Sequence, residues 1–155
     1  MKIKILSIAV GLFLLTGCST ANNVLTCTNN ENASGLNLDE KVVITFDGKK
    51  ASKVAMKVGI KATDDNSRNM WSELIDFYTK KFPETSESGL VVKAKDNSDN
   101  YQYTINMTID LDKVTSMTLN KYELEDLLSD NDTIDDIKLE AEQSGFTCSI
   151  AEKSI

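Results

Sequence analysis

The sequence predicts an α+β domain: a mostly antiparallel sheet of two hairpins plus terminal strands, with one long and two short helices packed on one face. Three observations carry the prediction. Residues 54–60 and 101–111 alternate apolar and polar side chains with a period of two, the pattern of strands buried on one side only. Between them the period changes. Trp71, Leu74, Ile75, Tyr78 and Phe82 recur at spacings of three and four, which gather on one side of a helix. The strand-like segments are joined by short turns, and the helical ones are too few for a regular alternation of strand and helix.

Residues 1–17 stand apart from that domain. Lys2 and Lys4 precede an apolar run from Ile5 to Leu15. The run has about half of the roughly 20 residues that span a bilayer, so it is expected to be a cleaved export signal. Leu15-Thr16-Gly17-Cys18 resembles a bacterial lipobox, which implies cleavage before Cys18 and diacylglycerol, with palmitate-type chains, on its sulfur. Two acyl chains anchor a protein stably, whereas one holds it only marginally. The alternative is a plain secreted protein with a chance cysteine. On the lipoprotein reading, residues 18–23 are a short lipidated tether and 24–155 a single α+β domain. The location is then the extracytoplasmic face of the cell membrane. At about 3.3–3.6 Å per extended residue, the tether keeps the folded part within about 20 Å of the lipid.

Val24 to Thr28 is the first expected strand and Phe146 to Ile150 the last. Each holds one of the two cysteines that lipidation leaves over, Cys27 and Cys148. In an oxidising compartment the pair is expected to form a disulfide, closing a loop of nearly the whole domain. No CxxC spacing or neighbouring basic residue marks them as reactive thiols. Asn29 to Asp39, rich in Asn, Ser, Gly and acidic residues, is expected to be a loop. Lys41 to Asp47 is rich in β-branched residues. Asp47-Gly48-Lys49-Lys50 is a hairpin signal, because Asp-Gly tolerates the positive φ of tight turns. In the strand that follows, Val54, Met56, Val58 and Ile60 face one way, and Lys53, Lys57 and Lys61 the other.

Asp64 to Ser67 offers helix caps, the helix is expected over 67–82, and Pro83 stops it. Trp71, in the apolar stripe, is expected in the core. Glu84 to Ser88 is a polar loop, Leu90 to Lys95 a strand and Asp96 to Asn100 a turn. Tyr101 to Leu111 is a long strand with Tyr101, Tyr103, Ile105, Met107, Ile109 and Leu111 on one face. Asn120-Lys121-Tyr122-Glu123 resembles a capping box ahead of Leu124, Leu127 and Leu128. Asp132 or Thr133 caps a second short helix carrying Ile134, Ile137 and Ala141, and Gly145 ends it.

Together these features resemble the YehR-like small bacterial lipoproteins: the lipobox, the Asp47-Gly48-Lys49-Lys50 hairpin before a lysine-alternating strand, the central aromatic helix, the second hairpin and Glu142-Gln143-Ser144-Gly145-Phe146. The resemblance covers most of the chain after residue 17. It implies a compact α+β lipoprotein domain and brings no established activity with it. Cys27 and Cys148 are not part of the pattern that carries it.

Composition excludes several functions. The chain has 24 acidic and 17 basic residues, a net charge of −7, and loses Lys2 and Lys4 if the leader is cleaved. Such a domain is repelled by nucleic-acid phosphates. Anionic lipid repels it too, so membrane contact is expected through the lipid on Cys18. There is no histidine, which removes the commonest metal ligand and the usual general base. Histidine-dependent triads are impossible. Asp96-Asn97-Ser98-Asp99-Asn100 begins like a calcium loop, but Tyr101 stands where glycine is needed and Met107 where glutamate is needed. Asp130, Asp132, Asp135 and Asp136 also miss the spacing. No phosphate-binding glycine loop or nucleophile elbow occurs. Neither a cofactor nor a metal is expected. The functional expectation is a non-catalytic module that binds an envelope protein or polymer, with Lys53, Lys57 and Lys61 as the candidate binding stripe. A solvated face that resists aggregation is the plainer account of those lysines. The alternative function is an envelope hydrolase or metal-dependent enzyme working through Asp and Glu residues.

Overall fold

A computed structural model describes residues 23–124 and 133–152. The leader with Cys18, and Leu127, Leu128, Asp130 and Asp132, lie outside the described residues. β1 (Asn23–Ala33), β2 (Leu36–Asp47) and β3 (Lys50–Ala62) form a meander. It is followed by α1 (Asp65–Asn69), α2 (Trp71–Lys81), β4 (Thr85–Glu87), β5 (Leu90–Asn97) and β6 (Gln102–Asp110). α3 (Ser116–Lys121), α4 (Ile134–Gln143) and β7 (Thr147–Glu152) complete it. The strands make one seven-stranded sheet in the order β4-β5-β6-β3-β2-β1-β7. Every neighbouring pair is antiparallel, so β3 is the middle strand.

Alternation gives the sheet one dry side. Leu25, Ile44, Phe46, Val54, Ile60, Leu90 and Ile109 point to it and pack with Trp71, Tyr78, Ile137 and Ala141 of the helices in a single cluster. Most of these side chains are fully buried, and burying one stabilises by about 1.5–3 kcal/mol. Trp71 sits in this core, with its Nε1 donating to Ser98 Oγ at 3.1 Å.

The strands run further than the apolar pattern indicates. Residues 29–39, expected as a loop, are strand except at a two-residue turn, Ser34-Gly35, with φ of 53° and 76°. Pairing from Asn29↔Glu40 to Ala33↔Leu36 carries these polar residues. Burial of Leu36 and Leu38 sets their register. Asn37 Nδ2 donates to Asn32 Oδ1 at 3.0 Å across the pair. The polar loop expected at 84–88 holds β4, which pairs with Leu90–Val92.

Two helical expectations and one strand boundary also change. The helix expected over 67–82 is two pieces that meet at Met70 (φ −94°, ψ 6°). Asp64 caps the first, accepting from Ser67 N at 2.7 Å, and Ser67 Oγ donates to Gly35 O at 2.8 Å. α1 is therefore tied to the β1–β2 turn, while α2 is tied to the core through Trp71 and Tyr78. Tyr101 is not on the strand. It closes a 3-10 turn (Ser98–Asn100) in the left-handed region, φ 50°. Asn120-Lys121-Tyr122-Glu123 ends a helix instead of starting one. Thr115 caps α3, accepting from Thr118 N at 3.2 Å, and Tyr122 is the C-cap. α4 matches its expectation, with Thr133 as N-cap and Asp136 completing a capping box.

Cys27 lies directly opposite Cys148 on β1 and β7, and a disulfide joins them, with Cα atoms 4.1 Å apart. Their sequence separation is 121. In the chain-entropy model a loop of this size contributes about 4–5 kcal/mol by constraining the unfolded chain. Cys27→Ser is therefore expected to lower the thermal midpoint and leave Cys148 open to thiol reagents. Reaction of both thiols in the unreduced native protein would contradict the bridge. Gly89 (φ 77°) is a second sensitive point, since an added Cβ would sit 2.2 Å from Val114 N, whereas at Gly48 (φ 60°) it would meet nothing within 4 Å. The left-handed backbone alone costs a residue with a Cβ about 1–2 kcal/mol. Gly48→Ala is expected to lose about that much, and Gly89→Ala clearly more, in urea unfolding. Equal losses would contradict the packing of this turn.

Candidate functional site

The wet side of the sheet is where the candidate stripe lies. Lys53, Lys57 and Lys61 stand on β3, all exposed. Cross-strand register brings further lysines beside them. Lys41 of β2 is opposite Lys57, Lys57 is opposite Asn106 of β6, and Asn106 is opposite Lys93 of β5. Lys95 lies two residues along β5, opposite Thr104. Six exposed lysines thus share one face spanning β2 to β5. Between them stand the short side chains of Val43, Ala55, Gly59, Thr104 and Thr108, together with Asn106 and Asp39.

Little negative charge answers them. Asp39 lies opposite Gly59 and accepts from the side-chain amide of Asn30. Asp110 lies opposite Lys53 and accepts from Lys113 Nζ at 2.6 Å. That bond, helped by the nearby Lys53 charge, holds the Asp110 carboxyl below its ordinary range. None of the six lysines makes an ion pair among the described residues. Cations paired elsewhere include Lys50 at the start of β3, Arg68, Lys80, Lys121 and Lys138 on helices, and Lys113 after β6.

The dry side contains one anomaly that the sequence reading missed. Leu36, Leu38, Val42, Ile44 and Phe46 of β2 face the core, and Glu40 stands among them. Burial pushes its carboxyl above the ordinary range, the Asn29 amide partly offsets this, and Glu31 adds to it. Glu40 lines a cleft of about 60 Å³ with Leu38, Met56, Tyr78, Phe82 and Met107. Burial, then the Glu40 charge, raises the Tyr78 phenol. The available signal was positional: Glu40 has the parity of Leu38 and Val42, but residues 29–39 were expected as a loop that broke the pattern.

Among the described residues, no group of three or more His, Cys, Asp or Glu side chains is placed to hold a metal ion. Asp96 to Asn100 is the end of β5 and an exposed 3-10 turn, where Ser98 Oγ donates to Asp96 Oδ1 at 2.5 Å. No described helix is long and apolar enough to cross a membrane.

No family model matches the sequence, and no curated protein does. Two solved structures share its architecture. A protein from Streptococcus pneumoniae TIGR4 superposes with a TM-score of 0.52 at 14% identity, over 96% of this chain and 98% of that one. The Escherichia coli YehR protein superposes with a TM-score of 0.50 at 16% identity, over 79% of this chain and 88% of that one. The fold is YehR-like. At these identities the likeness concerns architecture alone, and a YehR-like fold does not by itself carry an activity.

Glu40, on the dry side, gives the fold a pH signature. A carboxyl whose pKa is raised by folding favours the native state only while protonated. Its contribution is complete below the unfolded-state pKa and is lost as pH rises through the folded-state value. Glu40→Gln is therefore expected to raise the urea midpoint at neutral pH. The gain should vanish once acid has protonated Glu40 in both states. A destabilised Gln variant at neutral pH would contradict this account.

Proposed function

We propose that this protein is a lipid-anchored lipoprotein on the extracytoplasmic face of the cell membrane. It works there as a non-catalytic binding module, and its contact surface is the wet face of the sheet. One observation supports the reading most. On a chain of net charge −7, six exposed lysines share one face without an ion-pair partner among the described residues. Like charges held together repel one another, and an anionic partner relieves that repulsion. The chemistry of the face selects an anionic component of the envelope. The lipobox resemblance of residues 15–18 and the short segment before β1 support the anchor.

Mass analysis of protein purified from native membranes is expected to show diacylglycerol-modified Cys18 at the amino terminus. The reversal Lys53→Glu, Lys57→Glu and Lys61→Glu leaves the core untouched and is expected to keep the fold. It should abolish the low-salt retention of the envelope component that the wild type carries through purification. Unchanged retention would remove the face as the contact surface. An unmodified Cys18 or an uncleaved leader would remove the anchor.

A further inference from the structure

We propose that the anionic component is the headgroup surface of the anchoring membrane itself: the lysine face lies flat on anionic phospholipid, with the helices turned away. This rests on the lipid anchor of the preceding reading. The first argument is reach. Residues 18–22 separate Cys18 from β1, at most about 18 Å of chain. β1 begins at Asn23, and the next residue, Val24, lies in the cross-strand row of Thr45, Lys53 and Asp110. The tether thus leaves the sheet at the Lys53 end of the lysine face.

The second argument is shape. Lys53 and Lys61 are eight residues apart on β3, about 26 Å at the rise of a strand. Lys41 and Lys93 lie three strand spacings apart, about 14 Å. The charges cover an area, and between them stand short side chains, Asn106 and one carboxylate, Asp39. A flexible polyanion meets a protein along a line or in a groove, whereas a planar array of charge matches a planar surface.

The third argument is asymmetry. On α4, Asp135, Asp136 and Glu142 are exposed against the single cation Lys138, while on α2 Glu73 and Asp76 are balanced by Lys80 and Lys81, so the helix side carries a net negative charge through α4. An anionic surface repels that side and attracts the other, so both effects favour the same orientation. Net charge alone predicts repulsion. However, the Debye length is about 8 Å at physiological salt, so the charges nearest the lipid count most. Lysines held against an anionic leaflet are attracted individually.

The test uses the full lipidated protein in vesicles of phosphatidylcholine alone or with phosphatidylglycerol. Lysine acetylation rates are read by mass spectrometry. Lys41, Lys57 and Lys93 are expected to react severalfold more slowly on the anionic vesicles. Lys80, Lys81 and Lys138 of the helices should be unchanged. Salt at about 1 M, where the Debye length is about 3 Å, should remove the protection. The variant K41E/K57E/K93E should float with the vesicles and lose the protection of Lys53, Lys61 and Lys95. Equal rates on both vesicle types, with the protein floating, would overturn the docking and leave the anchor standing. Failure to float with either would overturn both readings. Protection by added soluble polyphosphate but not by anionic vesicles would assign the face to a polymer and overturn the proposal.

Discussion

β3 is hydrogen-bonded on both sides, by β2 and by β6, and this lock governs the molecule. A strand's side chains alternate, so a slip of one residue would carry Lys53, Lys57 and Lys61 into the core and put Val54 and Ile60 in water. Unpaired buried charges cost several kcal/mol each. A register shifted by one residue is not tolerable, and from Lys53 onward the parity of β3 propagates outward through its pairs, whereas the irregularity at Thr45/Phe46 turns Ala51 to the core. The helices then have one apolar surface to cover, and the opposite surface stays wet. The lysine face follows from how the core is built.

The ends of the chain depend on the same sheet. β7 returns beside β1, so the two terminal strands close on each other and Cys27 meets Cys148. The bridge fastens one edge of the sheet, and β4 shortens the other. Local contacts then fit the helical pieces to this frame. Ser67 ties α1 to the β1–β2 turn, and the Trp71 indole meets Ser98 at the end of β5. Glu40 is the cost of this arrangement, a carboxyl among apolar neighbours whose charged form the fold disfavours.

Where burial imposed a period, the sequence was legible. The alternation of β3 and β6, the stripe from Trp71 to Phe82 and the Thr133 cap each state their structure locally. The Asn-rich half of β1 does not, because few of its side chains are apolar and its pairing is imposed by Leu36 and Leu38 on the neighbouring strand. β4 is three residues long and exists only against β5. α3 has no apolar stripe, and its start is marked by a single threonine hydroxyl. The site was legible in the same measure. Lys53, Lys57 and Lys61 share a strand and so share a face by arithmetic. Lys41, Lys93 and Lys95 join them only through strand order, which no local pattern contains.

One-sidedness of the sheet is most directly tested by relaxation of methyl groups by a soluble paramagnetic agent in the free protein. Methyls of Val54, Ile60, Ile105 and Ile109 should be shielded, whereas those of Val43, Ala55, Val91 and Thr108, on the other face of the sheet, should relax strongly. Equal shielding of both sets would mean that the lysine face is covered, and the account of how it stays open would fail.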